Sequence, residues 1–145
     1  MASRKLEDLH PEIVSRWLKA VEGWNKLRNI EPELPDVFIT CTYRSPEEQT
    51  ELYAQGRTKP GPIVTHAEAY QSLHNYKPSF AVDFAFRKGK EVFWNEEFFR
   101  RFAQIAKSYG LAWGGDWPGR KKDTPHLEPP QFTWRDARAG KEPTW

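Results

Sequence analysis

The chain has 145 residues, 38% of them hydrophobic and 14% aromatic, with seven Trp; this is enough for one folded domain over residues 1–145 and argues against disorder. Its formal charge is only +2, and its one basic run, Arg120-Lys121-Lys122, is too short for a nucleic-acid or anionic-membrane reading. The lone Cys41 rules out an intramolecular disulfide and a Cys-rich metal site, and no stretch approaches the roughly 18 apolar residues of a membrane span.

In chain order, the opening residues lack the apolar run of a signal peptide, so the product is expected in the cytoplasm. Pro11 suits a first helical position, and Ile13, Val14, Trp17, Leu18, Val21, Trp24 and Leu27 recur at helical spacing as one apolar stripe. Val37 to Thr42 is β-rich and predicts a strand that buries Cys41 as a structural thiol. Ser45-Pro46-Glu47-Glu48 has the form of a capping box, opening a helix that stops at Gly56. Residues 57–79 show no sustained period and predict a long loop, a feature that is usually functional in a compact domain.

Phe80 to Phe86 then alternates with period two. Phe80, Val82, Phe84 and Phe86 share one face, and Ala81, Asp83 and Ala85 the other. Lys88-Gly89-Lys90 turns the chain into a short strand at Glu91 to Phe93, and Asn95 is expected to cap a helix whose Phe98, Phe99, Phe102, Ile105, Ala106 and Tyr109 face inward. Short strands are expected at Leu111 to Trp113 and Pro125 to Glu128, with one helical turn after Thr133. Partly segregated helices and strands point to an α+β fold with a small, mostly antiparallel sheet and flanking helices.

Chemistry enters with the acid between two alanines. Asp is disfavoured in strands, and a buried carboxylate needs partners, so Asp83 either meets water or binds an ion. Of the four histidines, His10 sits at a helix start and His66 in the long loop. His74 ends that loop and His126 begins a strand. Two imidazoles and a carboxylate form a common catalytic zinc set that leaves a position open for water. Asp123, three residues before His126, adds a potential general base. Glu128 shares strand parity with His126 and is either a partner of that histidine or a rival base.

Ser72-x-His74 followed by Ala81-x-Asp83 and then Asp123-x-x-His126 resembles the zinc D-Ala-D-Ala carboxypeptidases. Their relatives include VanY-like peptidases and phage endolysins that act as L-alanyl-D-glutamate endopeptidases. The run Thr42-Tyr43-Arg44-Ser45, with Gln49, Leu52, Tyr53 and Gly56-Arg57-Thr58 after it, also resembles that family, as do Gly61 to Thr65 and Gly114-Gly115-Asp116-Trp117. The motifs span about residues 37–129 in family order.

The resemblance implies the fold shared by these D,D-peptidases and the hedgehog domains. It implies one zinc ion on His74, Asp83 and His126, with Asp123 as catalytic base. Arg44 would stabilise negative charge on substrate or intermediate, and Ser72 would position substrate. One departure is a longer path from His74 to Asp83 without the family's usual Gly; Pro78 is expected to fix the turn, with the extra residues bulging before the strand.

The resemblance leads to a monomeric phage-type endolysin cutting the L-alanyl-D-glutamate bond of peptidoglycan stem peptides. Such an enzyme would wait in the host cytoplasm until a membrane pore admits it to the periplasm and cell wall. A D,D-carboxypeptidase or dipeptidase acting on D-Ala-D-Ala is the alternative within the class. A non-catalytic zinc-containing binding module is the alternative outside it.

Overall fold

The structure, a computed structural model, describes residues 2–145. Helix α1 (Pro11–Ile30) starts at Pro11, which has no N–H to satisfy, and His10 Nδ1 accepts from Glu12 N at 3.2 Å. Ile13, Trp17, Ala20 and Trp24 form its buried line. Leu18, expected on that stripe, is 49% exposed, because it lies about 100° around the helix from Trp17. Trp24 Nε1 donates to Pro35 O at 2.9 Å, which fixes the approach to β1 (Asp36–Cys41).

Ser45 Oγ accepts from Glu48 N at 3.1 Å to start α2 (Pro46–Ala54), and Gly56 with φ +81° follows the helix. The loop beyond it carries a 3-10 turn at Leu73–Asn75 before β2 (Val82–Lys88) and β3 (Glu91–Phe93). Asn95 occupies the N-cap of α3 (Glu96–Ser108), but its side chain makes no capping bond; Glu96 and Glu97 supply the negative charge that favours a first turn. Tyr109, expected to face inward, is 39% exposed because the helix has ended at Ser108 and the chain is already turning. The chain closes with β4 (Ala112–Trp113), β5 (His126–Glu128) and α4 (Trp134–Arg138), the last begun by a complete Thr133–Asp136 capping box.

The sheet has the order β1-β2-β5-β4, with β3 paired to the far end of β2, and all of these pairings are antiparallel. Its register places three residues side by side: Cys41 of β1 opposite Asp83 of β2, and Asp83 opposite His126 of β5. From Asp36↔Arg87 to Ile39↔Phe84 the β1–β2 register is regular, and it shifts before Cys41↔Asp83. That irregularity takes Thr40 out of the row and brings Cys41 in. The segment ahead of β2 turns at Pro78, through a cis Lys77–Pro78 bond.

The opposite face of β2 makes the core. Phe84 and Phe86 are fully buried beneath α1 and α3. Ring centroids are 5.0 Å apart for Phe84–Phe102 and Phe86–Phe99, 5.2 Å for Trp24–Phe86 and 5.3 Å for Trp17–Phe102. Such aromatic pairs add about 0.5–1.5 kcal/mol beyond the area they bury. Gly23 lets α3 approach α1, since a Cβ there would lie 3.0 Å from Ile105 Cγ2. Ala81 and Ala85, on the Asp83 face, are also 0% exposed, so Asp83 does not sit on an open solvated surface.

Phe102→Ala is expected to cost about 3–5 kcal/mol, read as a lowered urea midpoint with an unchanged slope. A loss below 1 kcal/mol would show that the aromatic cluster does not hold the helices to the sheet.

Candidate active site

Three strands and one turn bring the expected residues together. Asp83 Oδ1 lies 3.1 Å from His74 Nε2 and 3.0 Å from His126 Nδ1. The other nitrogen of each ring is committed elsewhere. His74 Nδ1–H donates to Thr42 O at 2.7 Å, and His126 Nε2–H donates to Glu128 Oε1 at 2.7 Å. Both rings thus present one chosen nitrogen to the same carboxylate, the usual way in which an outer partner fixes the tautomer of a ligating histidine. The strand parity of Glu128 with His126 therefore makes it a partner of that histidine.

The His74 turn is held on several sides. Ser72 Oγ accepts from His74 N at 3.2 Å, and Arg44 N donates to His74 O at 2.9 Å. Thr42 O, which takes the His74 proton, also accepts from Ser79 Oγ at 2.6 Å.

Burial alone would raise the Asp83 carboxyl. The charge on His74 and the hydrogen bonds from His126 and His74 overcome it and hold Asp83 well below the usual carboxylate range. Burial would lower His74, but Asp83 and, more weakly, Cys41 carry it up to about 9. His126 is likewise raised well above its ordinary value, burial being outweighed by Asp83 and Glu128. The acids of this cluster strongly favour positive charge on the residues around them.

Asp123 stands at the rim. Its Oδ2 is 3.9 Å from His126 Nδ1 and its side chain is 48% exposed. Burial and then the nearby Asp83 charge raise its carboxyl, against the opposing pull of His126, His74 and Arg44. Gly114 secures its place: Asp123 N donates to Gly114 O at 2.9 Å, and a Cβ on Gly114 would collide with Asp123 O and stand 3.1 Å from His126 Cβ. Trp117 packs on His126 with centroids 5.2 Å apart, and Trp113 Nε1 donates to Thr124 O at 2.8 Å. Asp116 supports the same loop through Lys107 Nζ at 2.6 Å.

Arg44 reaches the cluster from the β1–α2 connection. Its Nη1 donates to Gln49 Oε1 at 3.1 Å and its Nη2 lies 3.7 Å from Cys41 Sγ. Its Nε is buried with no hydrogen-bond partner among the described residues. Gln49, which the sequence carries within the family-like run after Arg44 but without a role, is fully buried. Its Nε2 donates to Ala67 O at 2.8 Å, and Asn75 Nδ2 donates to Arg44 O at 3.0 Å. This network joins α2, the long loop and the His74 turn; its partners are too far apart in the chain for a local pattern to show. His10 and His66 lie outside the cluster: His10 caps α1 and pairs with Glu142, and His66 is exposed.

The donor chemistry suits a divalent cation: two imidazoles and one carboxylate, with both ring orientations fixed. A second grouping also exists, since donor atoms of Cys41, His74 and Asp83 all lie within 4.8 Å of one another. Cys41 Sγ, however, faces His74 Nδ1 at 3.6 Å, the ring atom already bonded to Thr42 O, whereas His126 Nδ1 meets Asp83 directly.

Glu128→Gln is expected to weaken divalent-metal affinity about 10–100-fold with the fold intact, measured by competition with a chelating dye; unchanged affinity would remove Glu128 from the site. Gly114→Ala is expected to cut hydrolytic turnover at the site at least about 10-fold if Asp123 takes part, since small misplacements of reacting groups are costly. Wild-type turnover in that variant would show that the contact does not position Asp123.

A family model described as D-alanyl-D-alanine carboxypeptidase matches residues 65–129, the segment from Thr65 through His74, Asp83, Asp123 and His126. A Bacillus subtilis (strain 168) protein named peptidoglycan L-alanyl-D-glutamate endopeptidase CwlK is 43% identical over 131 residues, covering 83% of this chain and 73% of that protein. An L-alanyl-D-glutamate peptidase of Listeria phage A118 is 33% identical over 109 residues, covering 72% of this chain but only 32% of the phage protein. In shape, the chain resembles the crystal structure of Serratia marcescens L-Ala D-Glu endopeptidase ChiX, with a TM-score of 0.61 at 20% identity over 94% of this chain and 92% of that one. That likeness establishes the α+β peptidase fold, and the extent of the Bacillus match establishes kinship: the chain belongs to the D-alanyl-D-alanine carboxypeptidase family of metallopeptidases.

Proposed function

We propose that the chain is a zinc endopeptidase that hydrolyses the L-alanyl-D-glutamate bond of peptidoglycan stem peptides, with His74, Asp83 and His126 as the metal ligands. The observation that carries this reading is the convergence of His74 Nε2 and His126 Nδ1 on Asp83 Oδ1 at 3.1 and 3.0 Å. His74, Asp83 and His126 would hold the zinc, which would supply Lewis acidity and lower the pKa of water at the site toward about 7. Asp123, with its raised carboxyl at the exposed rim, accepts a proton from the attacking water and delivers it to the leaving amine. Arg44, whose guanidinium reaches the cluster beside Cys41, would supply positive charge to the substrate oxygen that gains negative charge. Ser72 spends its Oγ lone pair on His74 N and keeps its own proton free to orient substrate.

The choice of bond rests on the Bacillus and phage relatives, both named for L-alanyl-D-glutamate cleavage. D,D-carboxypeptidase action on D-Ala-D-Ala is the second reading, favoured by the description of the matching family. Asp123 beside the histidines counts against a non-catalytic module. The phage relative supports the finer reading of a lysin held in the host cytoplasm until a membrane pore admits it to the wall. No helix among the described residues is long and apolar enough to cross a membrane. The enzyme is proposed to act as a monomer.

Digestion of purified peptidoglycan, followed by mass spectrometry of the products, is expected to show muramic acid carrying L-Ala alone and released peptides that begin at D-Glu and keep terminal D-Ala. Release of D-Ala with the L-Ala–D-Glu bond intact would replace this reading with the carboxypeptidase one. Asp123→Ala is expected to lower turnover about 10²–10⁴-fold while zinc content stays at the wild-type level. His126→Ala is expected to lose zinc and stability together, because metal binding is coupled to folding.

A further inference from the structure

Beside the His74 turn lies a concavity of about 320 Å³, lined by Thr50, Tyr53, Glu68, Ala69, Gln71 and Arg138. Its wall from α2 carries Thr50, next in sequence to Gln49, the residue that holds Arg44. Its wall from the long loop ends at Gln71, three residues before His74, so their Cα atoms are at most about 11 Å apart. Arg138 arrives from α4.

Two opposite charges share this cavity without using each other. Neither the Glu68 carboxylate nor the Arg138 guanidinium makes a side-chain hydrogen bond or ion pair to any described residue. Unpaired surface charges are common, but here the backbone around them is constrained. Glu68 N donates to Gln71 Oε1 at 3.0 Å and Gln71 N to Glu68 O at 2.9 Å. Between them Tyr70 is held at φ +66°, a region that non-glycine residues seldom enter and that is found where a segment is over-determined. Tyr70 N donates to Asn75 Oδ1 at 3.0 Å, and Tyr70 O accepts from Tyr76 Oη at 2.7 Å. Tyr76 Oη also lies 3.2 Å from Trp134 O, which joins the loop to the helix carrying Arg138. A carboxylate and a guanidinium thus line one concavity whose loop wall is fixed by hydrogen bonds.

The matching ligand carries an ammonium for Glu68 and a carboxylate for Arg138 on one carbon, as the free end of a diamino dicarboxylic acid does. We propose that this cavity is the subsite for the third residue of the stem peptide and selects diaminopimelate over lysine there, a proposal that rests on the L-alanyl-D-glutamate reading. From the scissile nitrogen through the γ-linked glutamate to the distal carbon of diaminopimelate is roughly ten bonds, about 12 Å extended, comparable with the limit of about 11 Å between the Cα atoms of His74 and Gln71. Lysine in that place brings the ammonium without the carboxylate and leaves Arg138 unmatched.

The test uses the zinc-loaded protein and two dipeptides that lack the scissile bond, γ-D-glutamyl-meso-diaminopimelate and γ-D-glutamyl-L-lysine, titrated while backbone amide shifts are followed by NMR. Wild type is expected to bind the diaminopimelate dipeptide at least about 10-fold tighter, with shifts centred on residues 50–53, 68–71 and 138. Arg138→Gln, at an exposed position, is expected to erase that preference and leave lysine-dipeptide affinity unchanged. Glu68→Gln is expected to weaken both ligands, since both carry the ammonium. Equal affinities in wild type, or an undiminished preference in Arg138→Gln, would overturn the subsite. Release of L-Ala from the corresponding tripeptides is scored separately. Preferential binding without that release would overturn the cleavage reading and leave the binding preference standing.

Discussion

The site depends on one carboxylate held between two imidazoles on a sheet. Asp83 stands directly opposite His126 across β2 and β5 and opposite Cys41 across β1, and the His74 turn closes over that row. Removing a partner from a buried ion pair typically costs about 3–5 kcal/mol, so the register of three strands and the chemistry of the site stabilise each other. A one-residue slip of β2 would turn Asp83 toward the aromatic core and Phe84 toward the histidines. Errors of register are thereby penalised on both faces at once.

The two faces of β2 divide the labour. Phe84 and Phe86 lock the strand to α1 and α3 through close-packed rings, which gives the Asp83 face a rigid backing. The rest of the site comes from connections: Arg44 from the β1–α2 link, His74 from the long loop and Asp123 from the Gly-rich loop. Loops positioned by a stiff scaffold commonly carry function. Here Gln49 fastens one of them from inside, binding Arg44 with its carbonyl and the loop carbonyl of Ala67 with its amide. Leaving such a buried group half satisfied costs about 1–3 kcal/mol, which is why the segment after α2 is not free to wander.

Much of this was legible in the sequence where the signal is local and periodic. The alternation of Phe80 to Phe86 assigned the faces of β2, and the 3.6-residue spacing assigned the buried line of α1. Ser45 and Thr133 marked real caps. Asn95 did not, because a cap side chain can be replaced by the acidic first turn behind it. Leu18 and Tyr109 were misplaced because apolarity alone does not show where the buried arc narrows or where a helix stops. The register irregularity in β1, and hence the approach of Cys41 to His74, left no trace in the pattern, since it depends on pairing with a strand some forty residues away. The grouping of His74, Asp83, Asp123 and His126 came from motif resemblance, and the structure adds the outer partners, Thr42 O and Glu128, that choose which nitrogen of each ring is offered.

The most direct test of the account is a crystal structure of the zinc-loaded protein, with the metal located by anomalous scattering at the zinc edge. The account expects one peak within coordination distance of His74 Nε2, an Asp83 carboxylate oxygen and His126 Nδ1, with Cys41 Sγ outside the coordination sphere. A peak bonded to Cys41 Sγ, with His126 still paired to Asp83 and away from the metal, would contradict it.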